Sequence, residues 1–189
     1  MKHNNTSLAN EFTLNQESTD LVHIKLKLAE YALRESNEKY RVTFENVSIG
    51  IAHVAPNGQF LEVNQKLCNM LGRSRNELLN LSFGDLTHPD DLQESFEQAK
   101  RLLDGTISTS VFEKKYLLKN GDIIWGQVNT TLQRFSSGRP KYFISAVEDI
   151  TNRKNTEFEL KALNQKLQMI NEELRMKVKA MHPISEPIS

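Results

Sequence analysis

The chain has 189 residues, enough for one domain of ordinary size with flanking segments. Lys plus Arg and Asp plus Glu both number 24, so no net field draws in nucleic acid, an anionic membrane or an acidic substrate. A single cysteine, Cys68, excludes an internal disulfide framework, and no run of 18 apolar residues or secretory leader is present, which points to the cytosol without membrane insertion.

Residues 1–19 are rich in Asn, Ser and Thr and hold too little to bury, so they are expected to be a disordered tail. From residue 20 to 43, Val22, Leu26, Ala29, Leu33, Ser36 and Tyr40 recur at alternating spacings of four and three. This is the seam of a helix that pairs with another helix, with Leu26 and Leu33 as its strongest contacts.

Residues 44–150 read as an α+β domain. "IGIAHV" and "QFLEV" flank Ala55-Pro56-Asn57-Gly58, a hairpin turn in which Pro presets one backbone angle and Asn-Gly accepts positive φ. "STSVFEKKYLL", "IIWGQVNTTLQRF" and "KYFISAVEDI" follow, separated by Lys119-Asn120-Gly121-Asp122 and Ser136-Ser137-Gly138-Arg139, giving five antiparallel strands in all. Strand alternation sets Trp125 opposite to Ile124 and Val128, on the outer face.

Between the second and third strands lies a helical insert. Asn64 can cap its first helix, Gly72 can end that helix, and Ser74 with Glu77 forms a capping box for the next. In "HPDDLQESFEQAKRLLDG" Thr87 or His88 can be the cap, Pro89 sits at the first position, and Asp90 and Asp91 favour the positive helix end. Leu92, Phe96, Ala99 and Leu103 form its apolar stripe, and Gly105 stops it.

Residues 151–181 form a second heptad helix with a seam of Leu160, Leu163, Leu167, Ile170 and Leu174, roughly 45 Å long at 1.5 Å per residue. Pro183 and Pro187 break the chain into a frayed tail at 182–189. The stretch "VEDITNRK" carries the last strand into this helix with no Gly or Pro. Thr151 is a candidate cap, and Arg153 or Lys154 could pair with Asp149 or Glu148.

The blocks "ESNEKYRVTFENVSIGI", "FLEVNQKLCNMLGRSRNELL", "LTHPDDL", "FEKKYLLKNGDIIW" and "VEDITNRK" occur in an order and spacing that resembles a PAS domain with its PAC half, flanked by signalling helices. The resemblance spans about Glu35 to Lys154. It implies a ligand cavity between the concave sheet face and the insert, with Phe83, Leu86, Leu92, Phe96, Phe112, Val128 and Ile144 at matching positions; the alternative is that these side chains simply fill a core. It also implies that Asp149, Thr151 and Arg153 couple the sheet to the exit helix.

Two functions follow. In one, a sensory and dimerising module binds a small ligand and relays its state to a sensor kinase, cyclase or response regulator through a homodimer or heterodimer of heptad helices. In the other, a ligand-free scaffold pairs with such a protein, or the chain is a fragment of one.

No catalytic constellation is visible. His88 beside Asp90 and Asp91 reads as a helix start, the remaining histidines lack neighbours at ligand spacing, and no metal set or phosphate loop emerges, so the chain is not expected to be an enzyme. His182 precedes Pro183 and lacks the setting of a kinase phosphoacceptor. "LSFGDLTHPDD" lacks the Cys of the flavin-adduct relatives and residues 90–103 lack the His of the haem-binding ones, while a non-covalent small ligand stays open.

Overall fold

The structure is a computed structural model that describes residues 4–181, with side chains from residue 21 onward. The chain divides into two units at Ser48 and Ile49. The first is one helix, α1 (Asn4–Asn46). Residues 4–19 therefore correct the expected disorder: no Gly or Pro interrupts the segment, so a helix nucleated further on propagates back through it at little cost per residue. Residues 1–3 and the expected frayed tail at 182–189 lie outside the described residues. Along α1, Tyr40 and Phe44 stack at 5.5 Å, while Leu26 and Leu33 of the predicted seam are exposed.

The second unit is built on five antiparallel strands: β1 (Gly50–Val54), β2 (Phe60–Val63), β3 (Thr109–Leu117), β4 (Ile123–Arg134) and β5 (Pro140–Asp149). Their order across the sheet is β2-β1-β5-β4-β3, so the first hairpin joins the last strand and the sheet is continuous. The 55–58 turn closes with the Gly58 N–H donating to the Ala55 carbonyl at 2.8 Å.

The insert comprises α2 (Gln65–Leu71), α3 (Arg75–Leu79), a 3₁₀ turn (Gly84–Leu86) and α4 (Pro89–Leu103), and it covers one sheet face. Asn64 is fully buried and serves two elements. Its Oδ1 accepts from the N–H of Leu67, capping α2, and from the N–H of Ile51 on β1, while its Nδ2 donates to the Ile49 carbonyl at 3.0 Å. Gly72 ends α2 at φ 65°, and Ser74 with Glu77 forms the expected capping box on α3. His88 caps α4, with Pro89 at the first position. At the other end, Arg134 of β4 donates from Nη2 to the carbonyls of Leu102 and Leu103, satisfying the free carbonyls of the α4 C-terminus and holding the helix over the sheet.

The face that α4 turns inward shares Ala99 and Leu103 with the expected stripe and departs from it at Phe96. Ser95 and Leu102 are buried, whereas Phe96 is 52% exposed. Apolar spacing misled because Ser95 satisfies its own hydroxyl on the Asp91 carbonyl at 2.8 Å, so a polar residue sits inward without penalty. Cys68 is buried with Leu67 and Leu71 in the core.

Beyond Ile150 the chain becomes α5 (Thr151–Met181), which buries no residue after its first turn. Among the described residues no helix is long and apolar enough to cross a membrane.

Candidate functional site

The register of the sheet decides which side chains face the insert. Ser110, Thr130 and Ser145 form one cross-strand row with Ala52, and Phe112, Val128, Val147 and Gly50 form the next. Lys114 pairs with Gly126 one step further along. These inward residues, with Phe83 and the α4 face, line a cavity of about 60 Å³, space for a few waters at about 30 Å³ each in the liquid. A flavin or a haem is several times larger than that space.

Of the predicted cavity residues, the structure places Phe83, Phe112 and Val128 on the wall. Leu86 is fully buried but lies in the core beside the cavity, and neither Leu92 nor Phe96 reaches it, because α4 presents Ser95, Gln98, Ala99 and Leu102 there. Phe96 instead packs on Phe83 from outside, with ring centroids 5.0 Å apart. Ile144 is a correction of strand phase. It pairs with His53 and Thr131 on the outer face, and its neighbours Phe143 and Ser145 line the cavity.

Sequence reasoning missed Lys114. Its side chain is 3% exposed, and it lines the cavity with its ammonium over the rings of Tyr116 at 4.7 Å, Phe83 at 5.4 Å and Phe112 at 5.9 Å. Its hydrogen bond goes to Thr87 Oγ1 at 2.8 Å, and that hydroxyl donates to the Phe83 carbonyl. Burial lowers its pKa from 10.5 to about 7, with Asp91 pulling weakly the other way. The signal was present in the sequence, since Ser110, Phe112, Lys114 and Tyr116 share one phase of β3. Gly126, opposite Lys114, has a spatial reason: a Cβ there would lie 2.6 Å from the Tyr116 ring.

At the junction with the exit helix, Asp149 Oδ1 accepts from the Thr151 N–H at 2.9 Å and from its hydroxyl at 2.6 Å. Asp149 is therefore the cap, and Thr151, expected in that role, is the bridge. Its Oγ1 accepts from the Trp125 N–H on β4 at 3.0 Å, while the Trp125 carbonyl accepts from Ile150 at 2.9 Å.

Arg153 and Lys154 do not pair with Asp149 or Glu148. Both reach Glu113 on β3, Arg153 at 2.7 Å, because Glu113 shares the outer face with Trp125 and lies beneath the first turn of α5. These cations hold the Glu113 carboxyl below its ordinary value, Lys154 more than Arg153. Trp125 is on the outer face, as its phase requires, beneath Phe158 at 6.5 Å and Lys154 at 5.2 Å. Further along α5, Leu160, Leu163, Leu167, Ile170 and Leu174 are all exposed.

A five-stranded antiparallel sheet in the order β2-β1-β5-β4-β3, with a helical insert over one face and an exit helix leaving its last strand, defines the fold of a small sensory domain. The family described as PAS domain matches residues 46–152, and the chain belongs to that family. Its fold is shared with solved PAS domains of low identity. One is from an HTR-like protein of Haloarcula marismortui, with TM-score 0.57, 24% identity, and 66% of this chain and 99% of that one covered. Another is from Colwellia psychrerythraea, with TM-score 0.57, 16% identity, and coverage of 61% and 97%.

Relatives include the probable diguanylate cyclase DgcE of Escherichia coli (strain K12), 39% identical over 140 residues, 74% of this chain and 13% of that protein. The sensor histidine kinase TmoS of Ectopseudomonas mendocina is 26% identical over 168 residues, 87% of this chain and 17% of that protein. Sporulation kinase C of Bacillus subtilis (strain 168) is 24% identical over 143 residues, 76% of this chain and 33% of that protein. The chain thus spans a third or less of these relatives, and what it shares with them is the PAS sensory domain of signal-transduction proteins.

Proposed function

We propose that this chain is a cytoplasmic regulatory module that holds a small ligand in the Lys114 cavity and relays its presence through α5 to a kinase, cyclase or response regulator, itself catalysing nothing. The observation that carries the reading is the junction. The exit helix is fixed to the sheet at its first turn by Asp149, Thr151 and the Glu113 ion pairs, with no flexible spacer, and then carries an exposed apolar seam. A seam of five exposed large aliphatics is poorly stable alone in water and is buried by pairing with a second helix, so the module dimerises through it. Two packings of that seam supply the bistable element that coupling requires. Sedimentation and chemical cross-linking test the dimer, and the output of a cognate kinase or cyclase with Asp149→Ala and Thr151→Ala tests the relay. A folded, dimeric double variant that still transmits would refute it.

The small cavity favours a second reading, a scaffold with a filled core that pairs with a PAS-containing partner and senses nothing. Native mass spectrometry of the purified chain separates the two. Retained or added small ligand increases the mass only in the first case.

A further inference from the structure

The cavity has a polar design at each end. At one end is the Lys114 ammonium, which carries three N–H donors, gives one to the neutral hydroxyl of Thr87, and has no carboxylate within ion-pairing distance among the described residues. The carboxylate that acts on it from α4 is Asp91, whose Oδ2 is taken by the backbone N–H of Lys115 at 2.7 Å and whose Oδ1 lies 3.9 Å from the Lys115 ammonium. A buried cation without a counter-charge is costly, and aromatic rings offset that cost only in part. Four residues back along the same strand, about 13 Å at 3.3 Å per residue, Ser110 begins the row of three hydroxyls completed by Thr130 and Ser145. Apolar walls, Phe112 and Val128 among them, separate the two ends.

We propose that the cavity is a site for a short-chain monocarboxylate, its carboxylate on the Lys114 ammonium, its chain against Phe112 and Val128, and its far end towards the hydroxyl row. The inference rests on the sensory reading above and names the ligand class for it. One cation matches one negative charge, which a dianionic phosphate exceeds, and the space is too small for a nucleotide. A ligand of this class supplies the counter-ion the protein lacks, which makes occupancy a change in β3 itself.

The test uses the full chain and three probes: butyrate, butyramide of nearly the same shape without charge, and 1-butanol. Melting temperature and calorimetric titration are read for the unaltered protein, for Lys114→Met, and for Lys115→Gln, whose side chain lies on the other face. Butyrate should stabilise the protein with a concentration-dependent shift. Butyramide and butanol should bind roughly ten- to a hundredfold more weakly, the usual size of a charge-assisted hydrogen bond. Lys114→Met should lose the preference for butyrate and Lys115→Gln should keep it.

Equal binding of butyrate and butyramide by the unaltered protein, a comparison that needs no variant to fold, overturns the carboxylate site while leaving a ligand-binding cavity. An undiminished butyrate response in Lys114→Met overturns it as well. No response to any of the three probes overturns the carboxylate site, and native mass spectrometry of the same protein then decides the small-ligand reading beneath it.

Discussion

Glu113 and Lys114 are consecutive on β3 and face opposite sides of the sheet. Glu113 grips Arg153 and Lys154 of the exit helix, and Lys114 lines the cavity. One short segment of an edge strand thus touches both the cavity and the first turn of the exit helix.

Replacing Glu113 by Gln should loosen the first turn of α5 without unfolding the domain, since partly exposed ion pairs contribute at most about 1 kcal/mol each. Hydrogen exchange at residues 151–157 should quicken while that of β4 and β5 is unchanged. Because the carboxyl is held below its ordinary 4.5 by Lys154 and Arg153, its contribution is complete at neutral pH and lost as the pH falls through the lowered value. The unaltered protein should therefore approach the variant in acid below that value, and identical exchange of the two at pH 7 would remove Glu113 from the junction.

Lys114 predicts the opposite pH trend. Its folded pKa of about 7 lies below the 10.5 of the unfolded chain, so between these values the unfolded state holds the extra proton and stability rises with pH. The slope approaches about 1.4 kcal/mol per pH unit between pH 8 and 9.5 and vanishes below about pH 6, where both states are charged. Asp91 opposes the shift, and the Tyr116 phenol beside it, pushed well above its usual range by burial, stays neutral throughout. Urea titrations across this range should show the slope in the unaltered protein and its disappearance in Lys114→Met.

Asp149→Ala removes the cap of α5 and should cost about 1 kcal/mol, with Thr151→Ala similar in size because it also leaves the Trp125 N–H without its acceptor. The two share one cluster of bonds, so the double variant should lose less than the sum of the singles. Strict additivity in denaturant unfolding would mean that the two residues do not act as one unit.

Leu163→Lys and Leu167→Lys place charges on the exposed seam. Each leucine buried across a helix pair contributes about 1.5–3 kcal/mol, so the double variant should weaken self-association by several orders of magnitude while its melting temperature as a monomer hardly moves. Sedimentation equilibrium reads both states, and an unaltered mass distribution would remove the seam as a self-association surface.

The elements that punctuate this chain were readable because single residues fix them chemically. Asn64, Gly72, Ser74 with Glu77, and His88 followed by Pro89 each stand where the sequence predicts a helix boundary. Facing was harder. In β5 both phases carry bulk, Tyr142 and Ile144 on one side and Phe143 and Val147 on the other, so alternation offers no choice and only pairing with Val128 settles it. On α4 a self-satisfied serine takes the buried side in place of an apolar residue, so the spacing misplaces Phe96, while Ala99 and Leu103 of the stripe do pack on the core. Partners across the sheet were the least legible, because nothing near Arg153 in sequence points to Glu113, 40 residues earlier.

Trp125 is the one tryptophan in the chain, and it stands where the sheet meets the exit helix. Its backbone holds Thr151 and Ile150, and its indole has the ammonium groups of Lys154 at 5.2 Å and Lys115 at 5.9 Å, with Phe158 nearby. A cation that shifts by an ångström near an indole changes its emission colour, so the molecule carries a built-in optical gauge where the sheet meets the exit helix. Fluorescence of the unlabelled protein therefore reads, in real time and without a partner, whether an added ligand disturbs this junction.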